Sequence, residues 1–591
     1  MKRVLILFIF FLSIAILCAL PVAPNLAESV AMHQLQRLGA EGFALREAAT
    51  ISGADGILAY RYLLQPKGYM VVSADDRLDP VIAYSLQSDY APSVDNPLED
   101  LIITDLSQRL QNIPLMSETQ LDMVRENWTR LSTGQFRDPL QQWPPAGSTP
   151  TGGWVKTEWT QNAPYNSLCP INQTSGAHTY AGCPAVAMGQ IVNYYQTING
   201  TVFSDTDDYY HSYGGNNYNI DDDHTAWGFP SWSELNGYLN DMTHHYNYQE
   251  DMTDTDKAAL IFACGAAGHQ VYNYAGSGTF AVSQMLTAFQ RFGFEGMELL
   301  TDTAPDLYSR ISANIMDAMP VHLAVVTPAW DSGHNVVVDG YNTDNYFHLN
   351  FGWGGQYSGW YLLPSQIPYG LTVIEGAIVD IAPREYFFVF PEELSFMTFE
   401  DTLAPQPVEF INISGETLNM EAVLNQEFVA GGIRVQVTTS PTLPCQLPAG
   451  QSFILNVRVD TPTNLPREIL ETNVRLIHSQ GVVDIPVRIN SELNSEVNDG
   501  SSPALDPSLS VYPNPFRNEL RIRIKEYPEH DPVGIYNLKG QLVRTLSCES
   551  NSDTVWDGKD SAGRTVANGI YLIKQLTDKG LATARALKLS H

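Results

Sequence analysis

Cys183 opens a segment that reads as a helix. In Pro184-Ala185-Val186-Ala187-Met188-Gly189-Gln190-Ile191-Val192-Asn193-Tyr194-Tyr195, the residues Ala187, Ile191, Tyr194 and Tyr195 recur at helical spacing. Pro184 suits the first helical position, where its missing N–H has no partner to lose. Cys183 is therefore expected at the helix N-cap, where the positive end of the helix dipole favours thiolate over thiol. Gly182 before it lets a substrate approach the backbone closely. A thiol nucleophile needs a base. Gly333-His334-Asn335-Val336-Val337-Val338-Asp339 sets an imidazole at the mouth of a strand that reads as buried. Phe347-His348-Leu349-Asn350-Phe351-Gly352-Trp353 returns as its partner strand and carries Asn350, whose amide can orient an imidazole. Upstream, Gln161 offers a side-chain N–H that would join the Cys183 backbone N–H as an oxyanion hole. Each alone has a plainer reading: a core thiol, a strand histidine, a loop glutamine. Together they spell acyl transfer through a thioester.

The elements that must position these groups can be read next. A Cys followed far downstream by His and then Asn is the chain order of papain-like proteases. A symmetric four-residue turn at residues 342–345 would put His334 and Asn350 on opposite faces of the hairpin, so an odd-length loop or a bulge is expected there. Residues 151–385 mix helical patterns (184–197, 255–274, 280–292) with strands (321–327, 335–341, 346–351, 373–381), an α+β pattern. Before them, residues 21–150 hold strand-like runs at Tyr69–Ser73 and Pro80–Tyr84 and a helical pattern from Pro97 to Leu131. That unit closes in Gln141–Gly153, a linker whose three Pro and three Gly bar regular structure and invite nicking. Residues 386–490 alternate in short strands, as a β-sandwich does; 491–507 is a polar linker, and 508–591 is again all-β.

Composition sets the compartment. Lys2 and Arg3 precede an apolar run ending at Leu20, broken by Pro21, the pattern of a secretory signal peptide over residues 1–20. No other segment is apolar enough to span a membrane. Of six cysteines, five remain beyond that run: Cys169, Cys183, Cys264, Cys445 and Cys548. Five thiols make no disulfide framework, and the odd count leaves at least one free thiol outside the cell, where catalysis is a reason for it. Cys264 lies in an apolar run and is expected in a core. The 591 residues carry 65 Asp and Glu against 33 Lys and Arg, a net charge of −32, which argues against nucleic acid as a partner. No metal-ligand spacing or phosphate-binding glycine loop stands out, so neither metal nor cofactor is expected.

Four stretches in order resemble the streptopain family of papain-fold cysteine proteases: Gln161–Asn166, Gly182–Ile191, Gly333–Gly340 and Phe347–Gly355. The resemblance implies Cys183 as nucleophile, His334 as base, Gln161 at the oxyanion hole and Asn350 as orienter. It places Gly276 and Ser277 in a substrate-cleft loop, with Gly182, Gly333 and Trp353 lining the cleft. Phe351 stands where the family usually has Trp, while Trp353 keeps its place. Gly68–Ser85 resembles the family's prodomain, implying an inhibitory propeptide that acts on its own chain and is cut between about Arg137 and Trp154. Val511–Phe516, Ile535–Leu546, Trp556–Asp560 and Gly569–Leu572 resemble the Ig-like sorting domain read by the type IX secretion machinery, implying export to the surface or beyond. The expected architecture is thus α+β: a papain-like domain preceded by an α+β prodomain and followed by two all-β Ig-like sandwiches. The expected substrates are proteins or peptides. Transglutamination or peptidoglycan amide hydrolysis is the chemical alternative, told apart by its products. An adhesin built on the two sandwiches is the non-enzymatic one.

Overall fold

The computed structural model describes residues 21–54, 56–90, 103, 106–107, 109–111, 113–136, 138–363, 371–397, 405–424, 427–430, 433–460, 469–490, 509–512, 516–524, 533–537, 542–547, 554–561, 563–566, 569–577 and 580–588. The residues read as a signal peptide and the 491–507 linker lie outside these. The chain is a mixed α/β protein that divides into two compact units. The first comprises residues up to Glu385 with Leu418–Leu424 and Arg475–Asp484.

The first unit opens with helix α1 (Pro24–Arg37), whose proline sits in the first turn. Four strands follow: β1 (Ala44–Gly53), β2 (Gly56–Gln65), β3 (Tyr69–Ser73) and β4 (Val81–Ser85). Helix α2 (Glu118–Thr133) starts at a capping box in which Ser117 and Gln120 satisfy each other's backbone N–H, and it stops at Gly134, whose φ is 65°. Strand β5 (Gln142–Trp143) precedes helix α3 (Cys183–Tyr195). The hairpin of β6 (Tyr209–Tyr213) and β7 (Asn216–Ile220) is followed by α4 (Trp232–Tyr248), α5 (Asp254–Ala267), α6 (Val282–Arg291), β8 (Glu298–Leu300) and α7 (Leu307–Met316). Strands β9 (Val321–Val326), β10 (Gly333–Asn342), β11 (Phe347–Asn350), β12 (Gly359–Tyr361) and β13 (Val373–Val379) complete it.

These strands form one sheet in the order β1-β2-β3-β4-β12-β11-β10-β9-β13-β8, with β5 also on β10. The N-terminal strands therefore continue the sheet that carries His334. The junction is the antiparallel pair β4–β12, with Trp360 opposite Tyr84 and Tyr361 opposite Ala83. Strand alternation sends successive residues of β10 into different cores. Val337, with Ala324 and Ile378, packs against the Ala185, Val186 and Ile191 face of α3. Val336, Val338 and Leu349 join Phe351 and, from the N-terminal strands, Leu58, Val71 and Ile82 in a second core. An ion cluster adds to the junction: Arg37 of α1 grips Asp344 with two hydrogen bonds of 3.0 and 2.9 Å, and Arg130 of α2 adds a third at 2.9 Å.

The Gln141–Gly153 segment is not the free linker its composition suggests. Trp143 and Gln142 pair with Tyr341 and Asn342, and the Trp143 ring stacks on Tyr341 at 6.2 Å. Thr151 to Gly153 are buried, and the Thr151 hydroxyl donates to the Val155 carbonyl. Proline and glycine forbid a long element but not a two-residue strand held by side-chain contacts. Pro145 to Ser148 remain exposed.

In the second unit, Phe387–Phe390, Gln406–Asn412, Ser452–Asp460, Ile433–Ser440 and Glu427–Ala430 form an antiparallel sheet in that order, and Leu394–Met397 runs parallel to residues 487–490. Between Leu509 and Lys588 a three-stranded and a four-stranded sheet enclose Phe516, Leu520, Ile522, Val533, Ile535 and Trp556.

Candidate active site

Cys183 begins α3, and Gly182 is the N-cap, one residue earlier than the periodicity suggested. Gly182 has φ 85°, and a Cβ there would lie 2.3 Å from the Gln270 Oε1 atom. The demand for glycine thus comes from inside the protein. Gln270 is fully buried and donates through Nε2 to the Ala181 carbonyl at 2.8 Å. The Ala181 N–H in turn donates to the Gln161 carbonyl at 3.0 Å, which brings Gln161 beside the segment that leads into Cys183. The Cys183 thiol is partly buried, and burial raises its pKa. Opposing this are N–H groups that face the sulphur: the backbone and side-chain amides of Asn335 and the backbone of Cys183 itself.

His334 is 6% exposed and lies at the start of β10. Its Nε2 donates to the Phe351 carbonyl at 2.8 Å. A carbonyl only accepts, so the ring carries its proton on Nε2 and Nδ1 is the basic nitrogen. Burial lowers its pKa to about 4, against the pull of that carbonyl. The imidazole stacks on Trp353 at 4.3 Å and on Phe351 at 5.9 Å. Phe351 in place of Trp therefore still belongs to an aromatic shield. Burial thus disfavours the charged form of both the thiol and the imidazole.

Asn350 does not orient His334, and the register explains why. The hairpin has both expected irregularities. Asn342 N–H donates to the Tyr346 carbonyl around an odd loop, and Asp339 bulges between the pairs Val338–Leu349 and Gly340–His348. The two shifts cancel. Asn350 pairs with Val337 and so shares a face with Asn335, whereas His334, three residues from Val337, points to the other face. The orienter is the Phe351 main chain. The Asn350 amide is spent elsewhere: Nδ2 donates to the Thr157 carbonyl at 2.8 Å and to Gln190 Oε1 at 3.2 Å, and Oδ1 accepts from Gly352 N–H at 3.0 Å. Gln190 of α3 also accepts from the Trp159 N–H and the Thr157 hydroxyl, both at 3.1 Å. This hub locks the Gln161 segment, α3 and β11 together. A fully buried glutamine on an apolar helix face was the sequence signal for it.

Ser277 and Gly276 sit in a loop closed by the Val271–Gly278 bridge. The Ser277 hydroxyl bonds the Asn273 backbone at 2.9 and 3.1 Å, and the Asn273 carbonyl accepts from Tyr180 N–H. The loop is thereby tied to the segment leading into Cys183. Gly333 is exposed beside His334. Cys264 and Cys169 are buried free thiols.

Residues 159–361 match the model of the Peptidase C10 family, residues 19–108 that of the Spi protease inhibitor, and residues 510–588 that of a secretion system C-terminal sorting domain. The chain is 22% identical over 343 residues to streptopain of Streptococcus pyogenes, covering 54% of this chain and 77% of streptopain. It is 25% identical to the thiol protease/hemagglutinin PrtT of Porphyromonas gingivalis over 49% of this chain and 32% of that protein. Prointerpain A of Prevotella intermedia, solved as the fragment 39–359, aligns at 21% identity and a TM-score of 0.39 over 57% of this chain and 99% of that one. The sorting domain marks the chain for secretion to the cell surface or extracellular space. Among the described residues no helix is long and apolar enough to cross a membrane.

Proposed function

We infer, for a chain that belongs through residues 159–361 to the Peptidase C10 family of thiol proteases, an endopeptidase made as a zymogen and activated by its own cleavage. His334 Nδ1 takes the Cys183 thiol proton, and the thiolate attacks the scissile carbonyl carbon, forming the C–S bond. The Cys183 backbone N–H and the Gln161 amide hold the oxyanion. The imidazolium returns its proton to the leaving amine as the C–N bond breaks. Water, deprotonated by His334, then opens the thioester and releases the acid product. The observation that carries this reading is the fixing of His334 Nε2 on a backbone carbonyl, which reserves Nδ1 for a proton.

Residues 21–150, linker included, act as the inhibitory prodomain. The sheet junction at β4–β12 and the Arg37–Asp344–Arg130 cluster support that role. Self-cleavage falls in the exposed Pro145–Ser148 stretch. The two all-β regions are Ig-like sandwiches, the second handed to the type IX secretion machinery. The test compares full-length protein with its Cys183→Ala variant under reducing conditions, by intact mass and casein digestion. Loss of an N-terminal fragment ending near residues 145–148, followed by casein digestion, is expected of the parent alone. Equal behaviour of the two proteins overturns the reading.

A further inference from the structure

The residue after the catalytic base has no role in the mechanism above, yet it touches the nucleophile. Asn335 turns its backbone N–H and its side-chain amide toward the Cys183 sulphur. Strand alternation puts Asn335 on the same face of β10 as Val337, which packs against the helix that Cys183 begins. On the neighbouring strand β9, His322 lies opposite Val337 and so shares this face, diagonal to Asn335. Its Nε2 is 2.8 Å from Asn335 Oδ1.

The chemistry of His322 decides which way the amide points. The ring is fully buried, edge-on to Phe289 at 5.9 Å, and its Nδ1 has no hydrogen-bond partner. Burial lowers its pKa to about 4, so the ring is neutral and carries one proton. On Nδ1 that proton would be an orphaned buried donor, the costlier kind of unpaired group. On Nε2 it has Asn335 Oδ1 as acceptor. With Oδ1 engaged, Nδ2 is the atom that faces the sulphur.

We propose that Asn335 is a catalytic residue whose Nδ2–H donates to the Cys183 thiolate, and that His322 is a positioning residue that holds the amide in that orientation. The proposal rests on the reading of Cys183 as nucleophile. Donation to a thiolate lowers the thiol pKa, in a pocket where burial works the other way. The other titratable groups on β10 and α3 are His334, Asp339 in a pair with His348, Tyr341, and Tyr194 and Tyr195 at the far end of α3; the neighbouring α5, α6 and β13 add Asp254, Asp256, Lys257 and Cys264, Arg291, and Glu375.

The test follows alkylation of Cys183 by iodoacetamide in the full chain, as a function of pH, by mass of the Cys183 peptide. For Asn335→Ala the profile moves to higher pH by about one unit, so near pH 6 the thiolate fraction falls about tenfold and alkylation slows about threefold once the more reactive thiolate is counted. At alkaline plateau the variant reacts about threefold faster, because a less stabilised thiolate is the better nucleophile. Such a crossing of profiles is not produced by simple loss of structure. His322→Phe keeps the ring packing and gives the same shift, and His322→Gln, which restores a donor, returns the profile toward that of the parent. An Asn335→Ala profile that superimposes on the parent overturns the proposal. A shift in Asn335→Ala with none in either His322 variant overturns the positioning role. These rates are read on the thiol itself, so they stand apart from the casein comparison that tests the nucleophile.

Discussion

Asn350→Ala separates a structural asparagine from an orienting one. The side chain is 2% exposed and holds the Thr157 carbonyl, the Gly352 N–H and Gln190. Truncation leaves up to three buried polar groups short of a partner, at about 1–3 kcal/mol for each. With one of them relieved by rearrangement, the expected loss is about 3 kcal/mol. At about 2–4 °C per kcal/mol for a unit of some 150–250 residues, the melting temperature falls by about 6–12 °C. The base is held by the Phe351 carbonyl, which no side-chain substitution removes. At a temperature well below the melt, kcat/KM on a peptide substrate is therefore expected to stay within about tenfold of the parent, with the acid limb of its pH profile unmoved. Had Asn350 set the imidazole tautomer, the loss would approach about 10⁴-fold, as when a triad carboxylate is replaced by its amide. A loss above a hundredfold with an unchanged melting temperature would refute the register argument.

Gly182→Ala forces a Cβ against the buried Gln270 amide at a left-handed φ, so both a lower melting temperature and at least a tenfold fall in casein hydrolysis are expected; an unaltered rate counts against the packing account. His322 and His334 are held at about 4 by burial, below the ordinary 6.5. Unfolded rings take up protons first as pH falls, so their stability contribution is complete above about pH 6.5 and is lost toward pH 4, on the order of 3 kcal/mol per ring; urea midpoints at pH 7, 5.5 and 4 check this, and a flat series contradicts it. Burial pushes the Asp344 carboxyl up, but Arg37 and Arg130 outweigh it and hold the group below its usual range. Arg37→Ala should therefore cost about 3 kcal/mol at neutral pH, with the deficit vanishing as pH falls through that lowered pKa, again by urea midpoint.

The helix after Cys183 and the strand after His334 were legible because side-chain periodicity carries them directly. The hub that anchors the segment before Gln161, Gln190, reads in sequence as one more helical residue. The orienter was not legible. Its sequence reading treated an odd loop or a bulge as alternatives, and the hairpin uses both, so two single-residue shifts restore the register that either alone would have changed. Nor does a backbone carbonyl leave a mark in sequence: any residue at position 351 would supply the same acceptor to His334. The continuation of the sheet from β4 to β12 was hidden by another cause. Pairing between Tyr84 and Trp360 is set by two separately formed edges meeting, and each strand reads locally as an ordinary buried run. The same limit applied to Asn335. Its letter was visible beside the base from the start, but its use depends on which face of β10 it occupies and on a histidine one strand away. Where a group acts through register or through its main chain, the chain of inference has to pass through the sheet before it reaches the chemistry.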